Sequence, residues 1–516
     1  MTPEDPADAT RPDASARARP LAVRAGLLTA TLVAAAAGIA ALVLALGLGG
    51  SDPLDVSIQQ VARDAREAPD PGSSDPLAFA EGDSARLVQR AMLGTSHVIY
   101  AKSPDGVEAS AQRTAQWRDD VERAAEAHGV SPDILEAMVF LESAGRPTVM
   151  ADGTPSSASG LAQIIPSTAV DLLGMRVDLP RSIALTKRID RAIERGEGER
   201  AHDLVRERAQ IDQRFDPEAA LNGAARYLQI ARERFGSEQL AVVSYHMGIG
   251  NLESVIERFT GTEVDGGSVA EVVEAEDLDY ARLFFDSSPL RNERAWDLLG
   301  SLGDDSSTYL WRVYAAARIL RLRREDPDRL AMLAELQTAK ATAEEVFHPE
   351  ETTEVFADQP AIEDAIAGGE LVSLPDGEEY GFRVSRKLGE LARRLGVARE
   401  PYRSLRPEAL AALVYMSARV REINRGEGEL TVTSAVRDRA YQEALIGVNP
   451  EATRAYSLHT TGYSFDVLRR YSGDRQAAAF QFVLDRLRAL AVIDYAVEPR
   501  AIHVTVSNGA RPLLEG

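Results

Sequence analysis

Two constellations in this chain combine residue types and spacings that could do chemistry: a single glutamate at the end of an apolar helix, and a His–Asp–His set near the C-terminus. Ser131-Pro132-Asp133 reads as a helix start, with serine as N-cap, proline at the first position and an acid in the first turn. Ile134, Leu135, Met138, Val139 and Leu141 make one face apolar, and Gly145 and Pro147 end the helix. Glu142 then lies in the last turn, at the negative end of the macrodipole. Apolar surroundings and that dipole both disfavour a carboxylate, so its proton affinity should rise towards what a general acid needs. Position alone better suits a glutamate that simply faces solvent at a helix end. Only seven histidines occur in the chain, and two of them stand near the C-terminus. His459 and Asp466 are seven apart across a glycine turn, and His503 follows on a later strand. Two imidazoles and a carboxylate that leave one position open are the donor set of a catalytic zinc site. A satisfied structural hydrogen bond uses the same residue types.

These side chains need elements to hold them. At 516 residues, two or three domains are expected. The 45% apolar and 27% charged shares are ordinary for a globular protein. A net charge of -22 disfavours nucleic acid and anionic lipid surfaces as partners. With no cysteine, disulfides, thiol nucleophiles and cysteine-ligated metals are excluded. Residues 25–50 carry no charge and would span about 39 Å as a helix, enough for a hydrocarbon core of about 30 Å. Arg17, Arg19 and Arg24 precede that segment, and Asp52 and Asp55 follow it. The charge bias predicts a signal anchor with a cytoplasmic stub at 1–24 and everything after residue 50 outside; a long cleaved signal is the alternative. Residues 51–82 read as a spacer. Helical patterning follows to about residue 345, including a charged hairpin that turns at Gly196–Gly198 and whose charges read as a solvated face. Residues 346–395 are acidic and punctuated by proline and glycine, a second linker. From 396 to 516, a helix beginning at Arg406-Pro407 and the β-branched runs ELTVTS, YSFDVL and AIHVTVS predict a small α+β domain.

The blocks FLESAGRP, SASGLAQIIPSTA, LNGAARYLQIARERFG and AVVSYHMGIGNL occur in that order. Together they resemble the lysozyme-like lytic transglycosylases of the soluble (SLT) type, a likeness extending over residues 83–345. The resemblance implies that Glu142, paired with Ser143, is the sole catalytic carboxylate. It places Gln163 of Gly160-Leu161-Ala162-Gln163 against substrate, with Ala162 where the family has methionine. It gives Tyr245 the task of orienting an acetamido group or Glu142, and puts His246 where the family has asparagine. A lone acid could protonate the leaving oxygen and then, as base, help the muramoyl 6-hydroxyl close onto the anomeric carbon, giving a 1,6-anhydromuramoyl end. A hydrolytic muramidase on the same fold is the alternative; it would need an activated water, with Asp152 the available second carboxylate. No cofactor is implied for this domain.

The pattern S-x-x-R…Q…S-x-H-x-x-G-x-x-x-D…H resembles the VanY-like zinc carboxypeptidases of the M15 type. The resemblance implies zinc held by His459, Asp466 and His503, with Arg437 stabilising the transition state at a scissile peptide. It departs at the catalytic glutamate, which the family carries three residues before the last histidine; Arg500 stands there, and Glu498 lies five before. An active peptidase, a module that binds peptide stems and a structural domain are the three readings. The sequence thus predicts a mainly α protein with an N-terminal transmembrane helix, an α-helical lysozyme-like domain and a small C-terminal α+β domain. It would be a single-pass membrane enzyme acting on peptidoglycan glycan strands and stem peptides, with protein partners left open. The rival class is a non-catalytic cell-wall scaffold.

Overall fold

The computed structural model describes residues 75–264, 268–303, 305–447 and 453–515. The expected stub, the anchor at 25–50 and most of the spacer lie outside the described residues. No helix among the described residues is long and apolar enough to cross a membrane.

The helical half begins with α1 (Ser84–Lys102) and includes α2 (Pro132–Ser143). As the sequence predicts, Ser131 caps α2 by accepting from the Ile134 amide, with Pro132 at its first position. The buried face of α2, from Leu135 to Phe140, packs on a later helix whose buried residues include Trp311, Val313 and Ile319. Each large apolar side chain so buried contributes roughly 1.5–3 kcal/mol. At the C-terminal end of α2, the Arg113 Nε and the Trp117 Nε1 donate to the carbonyls of Ala144 and Gly145. The charged hairpin forms as two packed helices, α3 (Leu179–Glu194) and α4 (Gly198–Ile211). Then come α5 (Pro217–Phe235), capped by Asp216, α6 (Glu238–Met247), capped by Ser237, and α7 (Tyr309–Glu325).

The C-terminal half is built on a mixed five-stranded sheet. Its strands are β1 (Phe382–Val384), β2 (Leu430–Ser434), β3 (Ser464–Leu468), β4 (Ile493–Val497) and β5 (Ala501–Val506), in spatial order β1-β2-β3-β5-β4. Only β1 and β2 run parallel; the other pairs are antiparallel. Two helices, α8 (Pro407–Ile423) and α9 (Asp474–Ala489), pack on each other beside the sheet.

Two segments differ from the sequence reading. Within 346–395, expected as a linker, the chain forms a helix at Gln359–Ala367 and supplies β1 as an edge strand. Phe382, Leu391 and Tyr380 are buried, and their apolar area outweighs the acidic character of the surrounding chain. The end of the expected spacer is also anchored. The Tyr415 hydroxyl donates to the Asp75 carboxylate, Arg419 pairs with Asp75 at 2.6 Å, and Leu77 is buried. The described residues belong to one compact unit.

Candidate active site

Glu142 is half-buried at the last turn of α2. The buried Tyr309 hydroxyl at the start of α7 donates to its Oε1 at 2.6 Å. Burial pushes the Glu142 carboxyl up to about 7, against the opposing pull of the Tyr309 hydrogen bond and the Arg312 charge. With Oε1 taken by Tyr309, a protonated Glu142 carries its proton on Oε2. Burial and the neighbouring Glu142 charge hold the Tyr309 phenol well above its ordinary range, so it remains a donor.

The other residues of the expected site fall into different roles. Ser143 is 1% exposed, and its hydroxyl donates back to the Val139 carbonyl, so it braces the helix and does not face a substrate. The Tyr245 hydroxyl donates to the Ala162 carbonyl at 2.7 Å, with its ring edge-on to Tyr227 at 5.0 Å. Orienting Glu142, one of the two tasks expected of Tyr245, therefore falls to Tyr309. His246 is exposed; its ring stacks on Tyr309 at 4.9 Å, and its Nδ1 lies 2.8 Å from the Ser306 hydroxyl. Asp152 is exposed on its loop, where its amide donates to the Ser157 hydroxyl.

Gln163 sits on the loop between α2 and the hairpin, with φ of 46°, a left-handed conformation that costs a non-glycine residue roughly 1–2 kcal/mol. Its Nε2 donates to the carbonyls of Val149 and Gly160. A side chain on Gly160 is precluded: φ is +82°, and a Cβ there would lie 1.7 Å from the Arg214 carbonyl. What holds the loop is a residue the sequence reading assigned to a solvated face. Arg214 is fully buried, pairs with the equally buried Asp212 at 2.7 Å, and donates to the carbonyls of Pro155, Ser157 and Ile164. Arg208 is also buried, its guanidinium 3.7 Å from the centre of the Phe215 ring. Tyr309, which bonds Glu142, and Arg214, which holds the Gln163 loop, are side chains that the residue patterns did not single out. The first lies in the stretch TYLWRVYAAARIL, and the second is one arginine in a charge-rich run.

The C-terminal set does come together. Ser434, Asp466 and His503 are neighbours on three adjacent strands, β2, β3 and β5. His459 comes from the turn before β3. The His459 Nε2 lies 3.1 Å and the His503 Nδ1 2.9 Å from Asp466 Oδ1. One ligand atom from each of the three residues lies within 4.8 Å of the others. Each imidazole has an acceptor on its far side: the Ala435 carbonyl at 2.9 Å from the His459 Nδ1, and Glu344 Oε2 at 3.1 Å from the His503 Nε2. Burial and the Arg437 charge push His459 down to about 4, so it is neutral at pH 7. If its one proton goes to the Ala435 carbonyl, its Nε2 lone pair faces a carboxylate oxygen, a juxtaposition that a cation relieves. The donor set therefore fits a divalent metal of the zinc type. In the metal-free form burial opposes a charge on His503, but its bonds to Asp466 and Glu344 prevail and hold it up at about 10. Arg437 is already engaged by Ser434, Gln442 and Asp466. Arg500 is exposed in the β4–β5 turn, and Glu498, half-buried there, lies near enough for its charge to act on Arg437.

A helical fold with a half-buried glutamate braced by a tyrosine hydroxyl agrees in kind with the comparison of the chain with protein families. Residues 199–264 match the family described as Transglycosylase SLT domain. That segment holds Arg208, Asp212, Arg214, Tyr245 and His246, and stops short of Glu142 and Gln163. Among curated proteins, the chain is 40% identical over 70 residues to endo-type membrane-bound lytic murein transglycosylase A of Citrobacter koseri, covering 14% of this chain and 33% of that protein. The namesake protein of Cronobacter sakazakii matches at 40% over the same length and shares, and that of Klebsiella pneumoniae at 37%. The chain thus spans about a third of the length of these relatives.

Proposed function

We propose that this protein is a peptidoglycan lytic transglycosylase that cleaves the bond between N-acetylmuramic acid and N-acetylglucosamine, with Glu142 as its one acid/base. The observation that carries this reading is the Glu142 carboxyl, held up at about 7 and bonded through Oε1 to Tyr309. A protonated Oε2 donates to the glycosidic oxygen as the bond to the anomeric carbon breaks. The resulting carboxylate takes the proton of the muramoyl 6-hydroxyl as that oxygen bonds to the same carbon. No water is consumed, and the product is a 1,6-anhydromuramoyl end. Gln163, Tyr245 and His246 border the path of the glycan, and the acetamido group is the contact assigned to Tyr245. Burial, Tyr309 and Arg312 set the proton affinity of Glu142, and none of these supplies a second carboxylate, which favours this route over hydrolysis.

The C-terminal sheet we read as a zinc-binding module that takes peptide stems, with His459, Asp466 and His503 holding the metal. A zinc ion there would supply Lewis acidity towards a carbonyl. With Arg500 in place of a base, stem binding is favoured over peptide hydrolysis. Residues 25–50 would anchor the chain in the membrane with both modules outside, in line with the membrane-bound relatives.

The test is the detergent-solubilised full chain on purified sacculi, with muropeptides identified by mass spectrometry, beside Glu142→Gln. Anhydromuropeptides from the wild type, reduced by about 100-fold or more in the variant, are expected. Reducing ends would replace the reading with a muramidase, and shortened stems would make the sheet a peptidase. An unchanged product yield from Glu142→Gln would remove Glu142 from the reaction.

A further inference from the structure

Glu344 belongs to neither constellation in the sequence, yet it ends up in the C-terminal one. It lies in a short helix, Glu344–Phe347, that closes the helical half, more than a hundred residues before the nearest member of the His–Asp–His set. It is 8% exposed, and each of its carboxylate oxygens has a task. Oε1 pairs with Lys340 at 2.7 Å, and Lys340 in turn donates to the Tyr456 carbonyl. Oε2 accepts from the His503 Nε2 at 3.1 Å and from the Thr505 hydroxyl at 3.3 Å. Thr505 and His503 are two apart on β5 and so share a face of the sheet. Glu344 is not itself in the group of potential ligands, which consists of His459, Asp466 and His503.

An imidazole that binds a metal through one nitrogen needs an acceptor on the other, because that contact fixes the tautomer and the plane of the ring. For His459 the acceptor is the Ala435 carbonyl, two residues before Arg437 within the sheet half. For His503 it is Glu344, whose rotamer Lys340 and Thr505 lock. We propose that Glu344 is a positioning residue for the metal site: it holds the His503 Nδ1 towards Asp466 Oδ1, so the helical half completes the metal-binding centre of the sheet half. This rests on the reading of the His–Asp–His set as a zinc site. It predicts that metal occupancy and the junction between the halves are linked, with metal binding tightening the seating of the Glu344 helix.

The experiment uses the full chain, stripped of metal and titrated with Zn2+ against a chromophoric chelator, and in parallel with Co2+ read by its visible absorption. The variants are Glu344→Gln, which keeps the shape and an acceptor oxygen but not the charge, and Lys340→Met, which frees Glu344 Oε1. The expected result is one tight zinc per wild-type chain, a 10- to 100-fold weaker affinity in Glu344→Gln with an altered cobalt spectrum, and a smaller loss in Lys340→Met. Cleavage of sacculi in both variants should match the wild type, which shows that the chain still folds. If Glu344→Gln fails that control, Lys340→Met carries the test. Wild-type affinity and an unchanged cobalt spectrum in the folded variants would overturn the role of Glu344 and leave the zinc site standing. A wild type that takes up no zinc would remove the site itself, and the inference with it.

Discussion

Burial and Tyr309 pull the proton affinity of Glu142 in opposite directions, and burial wins. Tyr309→Phe removes the opposing pull, so the carboxyl should hold its proton to higher pH still. The alkaline limb of the pH–rate profile for sacculus cleavage should therefore move up in that variant; a limb that stays in place would mean that another group governs it. The same imbalance has a consequence for stability. A carboxyl raised from 4.5 to about 7 binds its proton more firmly folded than unfolded. Its favourable contribution is complete below about pH 4.5 and is lost as the pH rises through 7. Glu142→Gln, which cannot ionise, should thus gain stability over the wild type at pH 8 and gain none at pH 4, measured as denaturation midpoints at the two values. Glu142 was legible in the sequence because capping, periodicity and helix length all act locally. Tyr309 was not, because 167 residues separate the two partners and only tertiary packing joins them. Ser143 shows the opposite failure: a place in a motif does not say which way a side chain turns, and this one turns inward.

At the scale of elements, the loop that carries Gln163 is seated by the buried Leu161, Ala162 and Ile164, but its preceding arm, SSASG, is small and polar and has no apolar anchor of its own. Its shape comes from the Arg214 guanidinium, which reaches three loop carbonyls while Asp212 neutralises it. Removing one member of a fully buried pair leaves the other uncompensated and typically costs about 3–5 kcal/mol. Arg214→Met should lower the unfolding free energy by about that amount in denaturant titrations. Any sacculus cleavage left in the folded fraction should show a larger rise in KM than fall in kcat, because Gln163 loses its position while Glu142 keeps its own. A loss below about 1 kcal/mol would show that the loop holds its shape without Arg214. The charge run around Arg214 was read as a solvated face, and for most of α3 and α4 that is where the charges lie. Asp212 and Arg214 escape that reading because helical periodicity breaks at the turn after α4, where the chain dives under the loop, and Arg208 escapes it from within α4, on the face that Ala201 and Leu204 bury. The strands fared differently. ELTVTS, YSFDVL and AIHVTVS are strands because their β-branched patterning is local, whereas β1 hides in an acidic stretch that becomes a strand only through its parallel pairing with β2.

At the scale of the molecule, the two halves are joined by arginines that each half sends into the backbone of the other. Arg90 on α1 donates to the carbonyls of Leu490 and Gly509. Arg486 on α9 donates to those of Phe284, Phe285 and Ser287, with its guanidinium about 5 Å from the rings of Phe284, Phe285 and Phe482. Gly94, in the middle of α1, permits this approach: a Cβ there would lie 2.2 Å from the Arg488 carbonyl. Glycine inside a helix costs about 1 kcal/mol relative to alanine, an expense that close helix–helix seating offsets. The Ala343 amide donates to the Asp494 carboxylate, so the connection that leaves the helical half is pinned to β4 before it goes on. Such contacts tie the unfolding of one half to that of the other. The full chain should melt in a single calorimetric transition, and Arg486→Met, which strips three carbonyls of their donor at a cost of about 1–3 kcal/mol, should lower that transition or split it in two. Two transitions in the wild type would instead mean that the halves fold independently and that their contacts contribute little. Because the Glu344 helix belongs to this same junction, the proposed zinc site predicts that added Zn2+ raises the melting temperature of the wild type by more than that of Arg486→Met. A loosened junction lets Glu344 drift from His503, so part of the binding energy then goes into reseating it.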